Sequence, residues 1–279
     1  METPLKYEPI RSLIKGLNIL EAFTSSKYAL SFQELTLKTG MPKTSVFRFL
    51  QTLLSQKYLS FDSTSKKYFM GPRVLSLGFT VLSGLEVKDV ALPYLEQLSK
   101  VSSQNINLAI LDRTEVVFIE RINRWELLTI NLSVGSRVNS YQSSSGRAIL
   151  AFLNREKFDS VLKQLSKDLE ALKHIGSRGK KLKQVLEEVR RRGYALNDEE
   201  LIKGVRAIAA PIFGAQGEVE GAINMPVFSH SVSRKELVKK YVPLLMDTAK
   251  EISTARGFMG VYERLHRNRT GASTARTKH

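Results

Sequence analysis

Apolar side chains recur at helical spacing through the first quarter of the chain, and the breaks between the runs carry as much information as the runs. In residues 11–24, RSLIKGLNILEAFT, Leu13, Leu17 and Leu20 share a face with Phe23 nearby, the pattern of an amphipathic helix. SFQELTLKTG opens on Ser31 with Glu34 three residues later, a capping box, and Leu35 points inward. The run closes on Thr39-Gly40, where glycine accepts a left-handed turn. Pro42 suits a first helical position, and KTSVFRFLQTLLSQKY then aligns Val46, Phe49, Leu50, Leu53 and Leu54 in one stripe. YLSF and KYFM, joined by D-S-T-S-K, read as a β-hairpin with Lys66 and Lys67 beside its tip. Three helices followed by a basic hairpin predict a winged helix-turn-helix over residues 8–72.

The next stretch, GPRVLSLGFTVLSGLEV, is too apolar for a solvated linker, with Val74, Leu75, Leu77, Phe79, Val81 and Leu82. It is either a buried helix of the first domain or, over residues 73–85, a connecting helix that packs against a copy of itself. The second reading is favoured, because operators read by helix-turn-helix proteins mirror a two-fold axis of the protein.

From Glu86 the pattern becomes α/β. EVKDVALPYLEQLSKVS places Val87, Val90, Leu95 and Leu98 inward, with Pro93 as a mild kink. NINLAILDR, EVVFIERIN and ELLTINLSV are strand-like, with Trp125 in the turn between the last two. SSSGRAILAFL feeds a helix, EKFDSVLKQL is helical, and KKLKQVLEEVRRR is a charged helix stopped by Gly193, with Lys183 spaced to pair Glu187. AIAAPIFG and GEVEGAINMPVF form a strand pair around Ala215-Gln216-Gly217, and a final helix spans about 233–257. About five strands with intervening helices predict an antiparallel or mixed sheet covered by helices over residues 86–258. Residues 259–279 lose apolar period and read as a flexible basic tail.

Charge adds the first indication of a partner. The 279 residues carry 43 Lys+Arg against 27 Asp+Glu, a net +16. Residues 1–75 hold eleven bases against five acids, and residues 256–279 six against one, so the excess sits at the two ends. This is the footprint of a nucleic-acid partner. The outward residues of the second helix of the pair, Lys43, Thr44, Ser45, Phe47 and Arg48, with Gln51 at the edge, would enter the major groove of double-stranded DNA. Arg48 suits a guanine edge, Thr44 and Ser45 bases or phosphates, and Lys43 a phosphate. The hairpin adds Lys66 and Lys67. The alternatives are a three-helix domain with a solvated basic face, or a winged domain that binds protein.

Other chemistries are thinly represented. With no cysteine, there is no disulfide, thiolate nucleophile or cysteine-bound metal. His174, His230, His266 and His279 lack metal-ligand spacing. Asp198-Glu199-Glu200 has no histidine near it in sequence and reads as a structural turn. The apolar runs fall short of a membrane span and the first ten residues lack a signal-peptide core, so a cytoplasmic protein is expected, with no catalytic residue, metal, cofactor or membrane partner.

The winged-helix run SLIKGLNILEAF…SFQELTLKTGMPKTSVFRFLQTLLSQKYL…KKYFMGPRVLSLG resembles that of IclR-family bacterial transcription regulators. GYALNDEELIKGVRAIAAPIFGAQGEVEGAI is similar to the family's effector-domain signature, matching at Gly193, Glu200, Ala207, Ile208, Ala209 and Ile212-Phe213. Two motifs in the right order, across residues 8–258, make the resemblance specific. Asn197 stands where the signature has an acid or serine, and Gly214 where it ends on Asp or Asn. The resemblance implies a GAF-like effector-binding domain, homodimers that pair into dimers of dimers, and a small organic acid or aromatic metabolite as effector. It implies repression of a catabolic operon through a pseudo-palindromic operator. Carried over, its effector contacts fall on Ser144, Ser145, Asn197, Ala207, Asn224 and Pro226. The helix start at Ser144 and Ser145 could hold a carboxylate, with Arg147 either adding charge or pairing Glu200. Read without the family, Ser143-Ser144-Ser145-Gly146 is a plain helix N-cap. A metabolite sensor or enzyme whose winged helix binds protein, and a non-specific nucleoid protein, are the rival readings.

Overall fold

The computed structural model describes residues 8–23, 27–124 and 133–260, in two compact units that divide at Gly84/Leu85. In the N-terminal unit, α1 (Arg11–Glu21), α2 (Phe32–Thr39) and α3 (Lys43–Ser55) pack around Ile19, Leu35, Val46 and Leu50, all fully buried. The capping box forms as the sequence predicts: Glu34 N–H donates to Ser31 Oγ at 3.3 Å, and Ser31 N–H to Glu34 Oε2 at 2.9 Å. Gly40 takes φ +64° and turns the chain into Pro42, which precedes α3. The hairpin pairs β2 (Leu59–Asp62) with β3 (Lys67–Met70). A short strand that apolar patterning misses, β1 (Ala29–Ser31), adds to the other side of β3.

One expectation changes here, and of two alternatives for the next segment one drops out. In α1 the core-facing residue is Ile19, with Leu20 and Phe23 half-buried, whereas Leu13 and Leu17 stand 60% and 47% exposed. Leu13 and Leu17 recur with the helical period, but the flank they occupy is not the one α3 covers. The segment after the wing is a helix, α4 (Pro72–Ser83), and it is not buried: Leu75, Leu77, Phe79 and Val81 are exposed. Its apolar side lies open in the single chain.

In the C-terminal unit, the described strands form a six-stranded antiparallel sheet. They are β4 (Ile106–Asp112), β5 (Glu115–Ile122), β6 (Arg137–Asn139), β7 (Ala195–Asp198), β8 (Val205–Phe213) and β9 (Val219–Phe228), in the order β6-β5-β4-β9-β8-β7. One layer over the sheet consists of α6 (Ser144–Leu150), α7 (Arg155–Leu165), α8 (Leu169–Ile175) and α9 (Lys180–Arg192). Another is made by α5 (Glu86–Ser102) and α11 (Val242–Ala255), which pack on each other and on the sheet. Val87, Leu95 and Leu98 of α5 are buried, and Pro93 sits inside a continuous helix. Before α11 come α10 (Arg234–Glu236) and one π-helical turn at Leu237–Tyr241. Pro243, the second residue of α11, lacks an N–H and interrupts the regular ladder there. The run 126–132 of the third predicted strand, Trp125 and the tail beyond 260 lie outside the described residues.

The ion pairs on the charged helix keep helical spacing but use another acid than the sequence suggests. On α9 it is Glu188, not Glu187, that pairs, with Arg191 and Arg192. Arg256, counted among the basic residues of the C-terminal end, is held by both oxygens of Glu220 at 2.9 and 3.0 Å and by Glu86 at 2.9 Å. These carboxylates raise its pKa above the ordinary guanidinium value.

Candidate nucleic-acid interface and ligand cavity

The α2–turn–α3 pair leaves the start of α3 in solvent. Lys43, Thr44, Phe47 and Arg48 are exposed, with Ser45 half-buried, while Val46 and Leu50 hold the opposite side in the core. Phe47, 53% exposed, is an apolar ring that the core does not claim. Among the described residues the side chains of Lys43 and Arg48 have no ion-pair or hydrogen-bond partner, so their charges are available to an anion. Lys66 and Lys67 are exposed where β3 begins, and Asp62 closes that turn through the N–H groups of Thr64 and Ser65. The Ser65 hydroxyl and those N–H groups hold the Asp62 carboxyl below the usual carboxylate range.

The second site is built on one face of the larger sheet. Cross-strand pairing sets Arg121 beside Asn107 and Asn107 beside Asn224. The next row pairs Pro226 with Ala207 and Ala207 with Asn197. The start of α6 lies over these rows, with Ser143 and Ser144 in the wall, and Phe118, Val138, Leu201, Ile202 and Val205 complete it. The enclosed space is about 40 Å³, room for a few water molecules. Small side chains at Ala207 and Pro226 leave that space open.

A directed run of hydrogen bonds crosses the floor. Arg121 Nε donates to Asn107 Oδ1 at 3.0 Å, and Asn107 Nδ2 to Asn224 Oδ1 at 2.7 Å. Asn224 Nδ2 reaches Ser144 Oγ at 3.5 Å. Each amide is thereby fixed in orientation by its neighbour. Asn197 is engaged in the wall itself: its Nδ2 donates to the Gln142 carbonyl at 2.7 Å, and its Oδ1 accepts from Leu201 N–H at 3.5 Å.

Of the six residues carried over from the resemblance, Ser144, Asn197, Ala207, Asn224 and Pro226 meet in this wall; Ser145 does not. Its hydroxyl is buried and has no hydrogen-bond partner among the described residues. Ser143 caps α6, accepting from Gly146 N–H through Oγ and from Arg147 N–H through its carbonyl, both at 3.0 Å. Gly146 is required by closeness: a Cβ there would sit 2.2 Å from the Ser140 carbonyl oxygen. Arg147 pairs with Glu200 and does not line the cavity.

Arg121 is the wall residue that strand alternation conceals. The β4–β5 pairing slips at Leu108/Ala109, so that Ile119 is bulged and Phe118 and Arg121, three residues apart, share the cavity face. Glu120 turns to the other side and pairs with Lys88 of α5 at 3.3 Å.

The acidic turn Asp198-Glu199-Glu200 is taken up by cations. Arg206 Nε reaches Asp198 at 2.5 Å and Arg206 Nη2 reaches Glu199 at 3.3 Å, while Glu200 holds Arg147. Glu199 also accepts from Gly204 N–H, the main reason its carboxyl titrates below the usual range. Among the described residues no group of His, Asp and Glu is arranged to hold a metal ion, and no helix is long and apolar enough to cross a membrane.

Comparisons with known proteins agree with this architecture. Residues 12–63 match the IclR helix-turn-helix domain, and residues 79–254 match the domain described as bacterial transcriptional regulator IclR C-terminal. The chain is 30% identical to the Pca regulon regulatory protein of Pseudomonas putida, over 86% of this chain and 82% of that one. It is 28% identical to the transcriptional repressor IclR of Escherichia coli K12, over 90% and 91%. Among solved structures, an IclR family transcriptional regulator from Brucella abortus superposes with a TM-score of 0.73 at 29% identity, covering 91% of this chain and 96% of that one. These relatives are named as regulators of transcription, not as enzymes. Two domain matches covering most of the chain, on a helix-turn-helix unit and a helix-covered sheet, place this protein in the IclR family of bacterial transcriptional regulators.

Proposed function

We propose that this chain is a cytoplasmic, ligand-responsive repressor of a catabolic operon, binding a pseudo-palindromic operator through α3 as a dimer or a dimer of dimers. The observation that carries the reading is the unpartnered basic start of α3, with Arg48 and Lys43 facing solvent beside Thr44 and Ser45. Base edges are read by Arg48 and Thr44, phosphates by Lys43 and by Lys66 and Lys67 of the wing. The open apolar side of α4 supports pairing of two copies, which matches the two-fold symmetry of such operators. Repression is the sign of control in the E. coli relative's name, and activation of the same promoter would reverse it.

The effector, a small organic acid or aromatic metabolite, occupies the cavity bounded by Ser144, Asn197, Ala207, Asn224 and Pro226. A ring-sized ligand exceeds the enclosed space, so the Glu199–Gly204 loop moves outward to admit it. A ligand changes operator affinity only by preferring one of two arrangements of the protein, and that loop is the element it pushes. Selection of bound genomic fragments at about 150 mM salt, which screens weak phosphate contacts, tests the proposal. A recurrent pseudo-palindrome is expected. Binding with a steep salt slope and no preferred sequence would overturn it.

A further inference from the structure

The cavity has one charged wall residue among the described residues, and it is Arg121. Its Nε is occupied by Asn107, but its two Nη groups have neither a hydrogen-bond nor an ion-pair partner among the described residues. Burial pulls its pKa below the ordinary guanidinium value, the signature of a cation taken partly out of water without a counter-charge. No carboxylate lines the cavity to neutralise it or to repel an anion. The start of α6 carries no full charge: it is a helix of seven residues whose Gly146 N–H is already taken by Ser143 Oγ. Elsewhere the wall is apolar at Leu201, Ile202, Val205 and Pro226.

We infer that Arg121 is the specificity-determining residue of this cavity, selecting a monocarboxylate whose acid end meets the free fork and whose carbon body lies against the apolar wall. The inference rests on the ligand-cavity reading above and adds the chemistry and the direction of the ligand. A guanidinium presents two parallel donors to a carboxylate, and the pairing supplies the counter-charge that the site lacks. Asn107, already fixed by Arg121 Nε and Asn224, holds the fork in register. A neutral amide of the same shape offers one acceptor oxygen and no charge, and so is rejected. A second carboxylate on the ligand would be buried against Leu201 and Ile202 without a partner.

The test uses the full-length protein and titration calorimetry with acetate, butyrate, benzoate and 4-hydroxybenzoate, each beside its primary amide. The wild type is expected to bind at least one acid, with the amide at least about tenfold weaker. Arg121→Gln, which keeps a donor for Asn107, should weaken the acid by at least about tenfold and bring acid and amide together. Arg121→Lys should recover part of the preference, and thermal midpoints establish that both variants fold. Equal affinity for acid and amide, acid binding unchanged in Arg121→Gln, or no acid bound up to about 50 mM would overturn the inference. Ala207→Leu, which fills the floor, separates this from the underlying reading. An uncharged ligand lost in Ala207→Leu but indifferent to Arg121→Gln leaves the cavity standing and removes Arg121. An acid indifferent to Ala207→Leu removes the cavity itself.

Discussion

Arg147 grips Glu200 with both arms of its guanidinium, Nη1 to Oε1 at 3.0 Å and Nη2 to Oε2 at 2.6 Å. Arg147 is buried on α6 and also donates through Nε to the Tyr141 carbonyl at 2.9 Å, whereas the Glu200 side chain is 47% exposed. The pair therefore ties the helix over the cavity to the loop that carries Leu201 and Ile202. Glu200→Ala leaves a buried guanidinium with one partner fewer, and a loss of about 1–2 kcal/mol in unfolding free energy is expected. A double-mutant cycle with Arg147→Met should give a coupling of about 1 kcal/mol, modest because the carboxylate is half in water. Faster ligand association in Glu200→Ala would follow from a looser loop. Unchanged stability and rates would show that the clasp does not hold it.

On α3, Arg48→Ala should cost about 1–3 kcal/mol on the operator and relax the preference at one base pair. Lys43→Ala should weaken all sequences alike and lower the salt slope by about one. Gel shifts on operator and scrambled DNA at several salt concentrations separate the two. Equal loss of Arg48→Ala on both DNAs would reassign that residue to a phosphate.

Gly146→Ala is expected to be among the more damaging single-methyl changes in the C-terminal unit. The added Cβ would stand 2.2 Å from the Ser140 carbonyl oxygen and 2.3 Å from Ser140 Cα. Backbone must shift to relieve it, at a cost on the order of 3 kcal/mol. Ligand binding should fall with it, because the same shift displaces Ser144. Chemical denaturation gives the first quantity and calorimetry the second.

The open side of α4 predicts an association that depends on it. Leu75 and Phe79 lie one helical turn apart, 76% and 68% exposed. Charged replacements, Leu75→Glu with Phe79→Glu, should shift sedimentation toward the monomer while leaving each domain folded. A dimer that survives the double change would place the two-fold contact elsewhere.

The capping box gives the helix-turn-helix an acid-sensitive term. The N–H and hydroxyl of Ser31 hold the Glu34 carboxyl below the usual carboxylate range. A carboxyl whose pKa is lower folded than unfolded contributes stability above its unfolded pKa and loses it as pH falls through the folded value. Glu34→Gln should therefore be less stable than the wild type at neutral pH. The difference should shrink as pH falls from about 5 to about 3. A gap independent of pH would mean that the carboxylate charge contributes nothing.

The N-terminal unit was largely legible from local chemistry. A capping box, a left-handed glycine, a proline before the second helix and a helical stripe around Val46 and Leu50 are each short-range, and each predicts its element without reference to the rest. Which flank of α1 meets the core was not legible, because the stripe of Leu13, Leu17 and Leu20 marks one face and only the position of α3 turns Ile19 inward instead. The short strands β1, β6 and β7 gave no signal, since three or four residues become a strand through pairing with a neighbour already in place. Motif and resemblance brought five wall residues of the cavity into view, from segments as far apart as Ser144 and Pro226.

By itself, then, the sequence determined the longer helices and strands and the basic, solvent-facing start of α3, because these depend on contacts within a few residues. Tertiary structure alone decided that Arg147 spends its charge on Glu200, 53 residues away, and that Ser145 stays out of the wall. It alone decided that the bulge at Ile119 turns Arg121 inward. Period-two alternation assigns Arg121 to the face opposite Phe118, and one extra residue in the ladder, set by how β5 registers on β4, reverses that assignment.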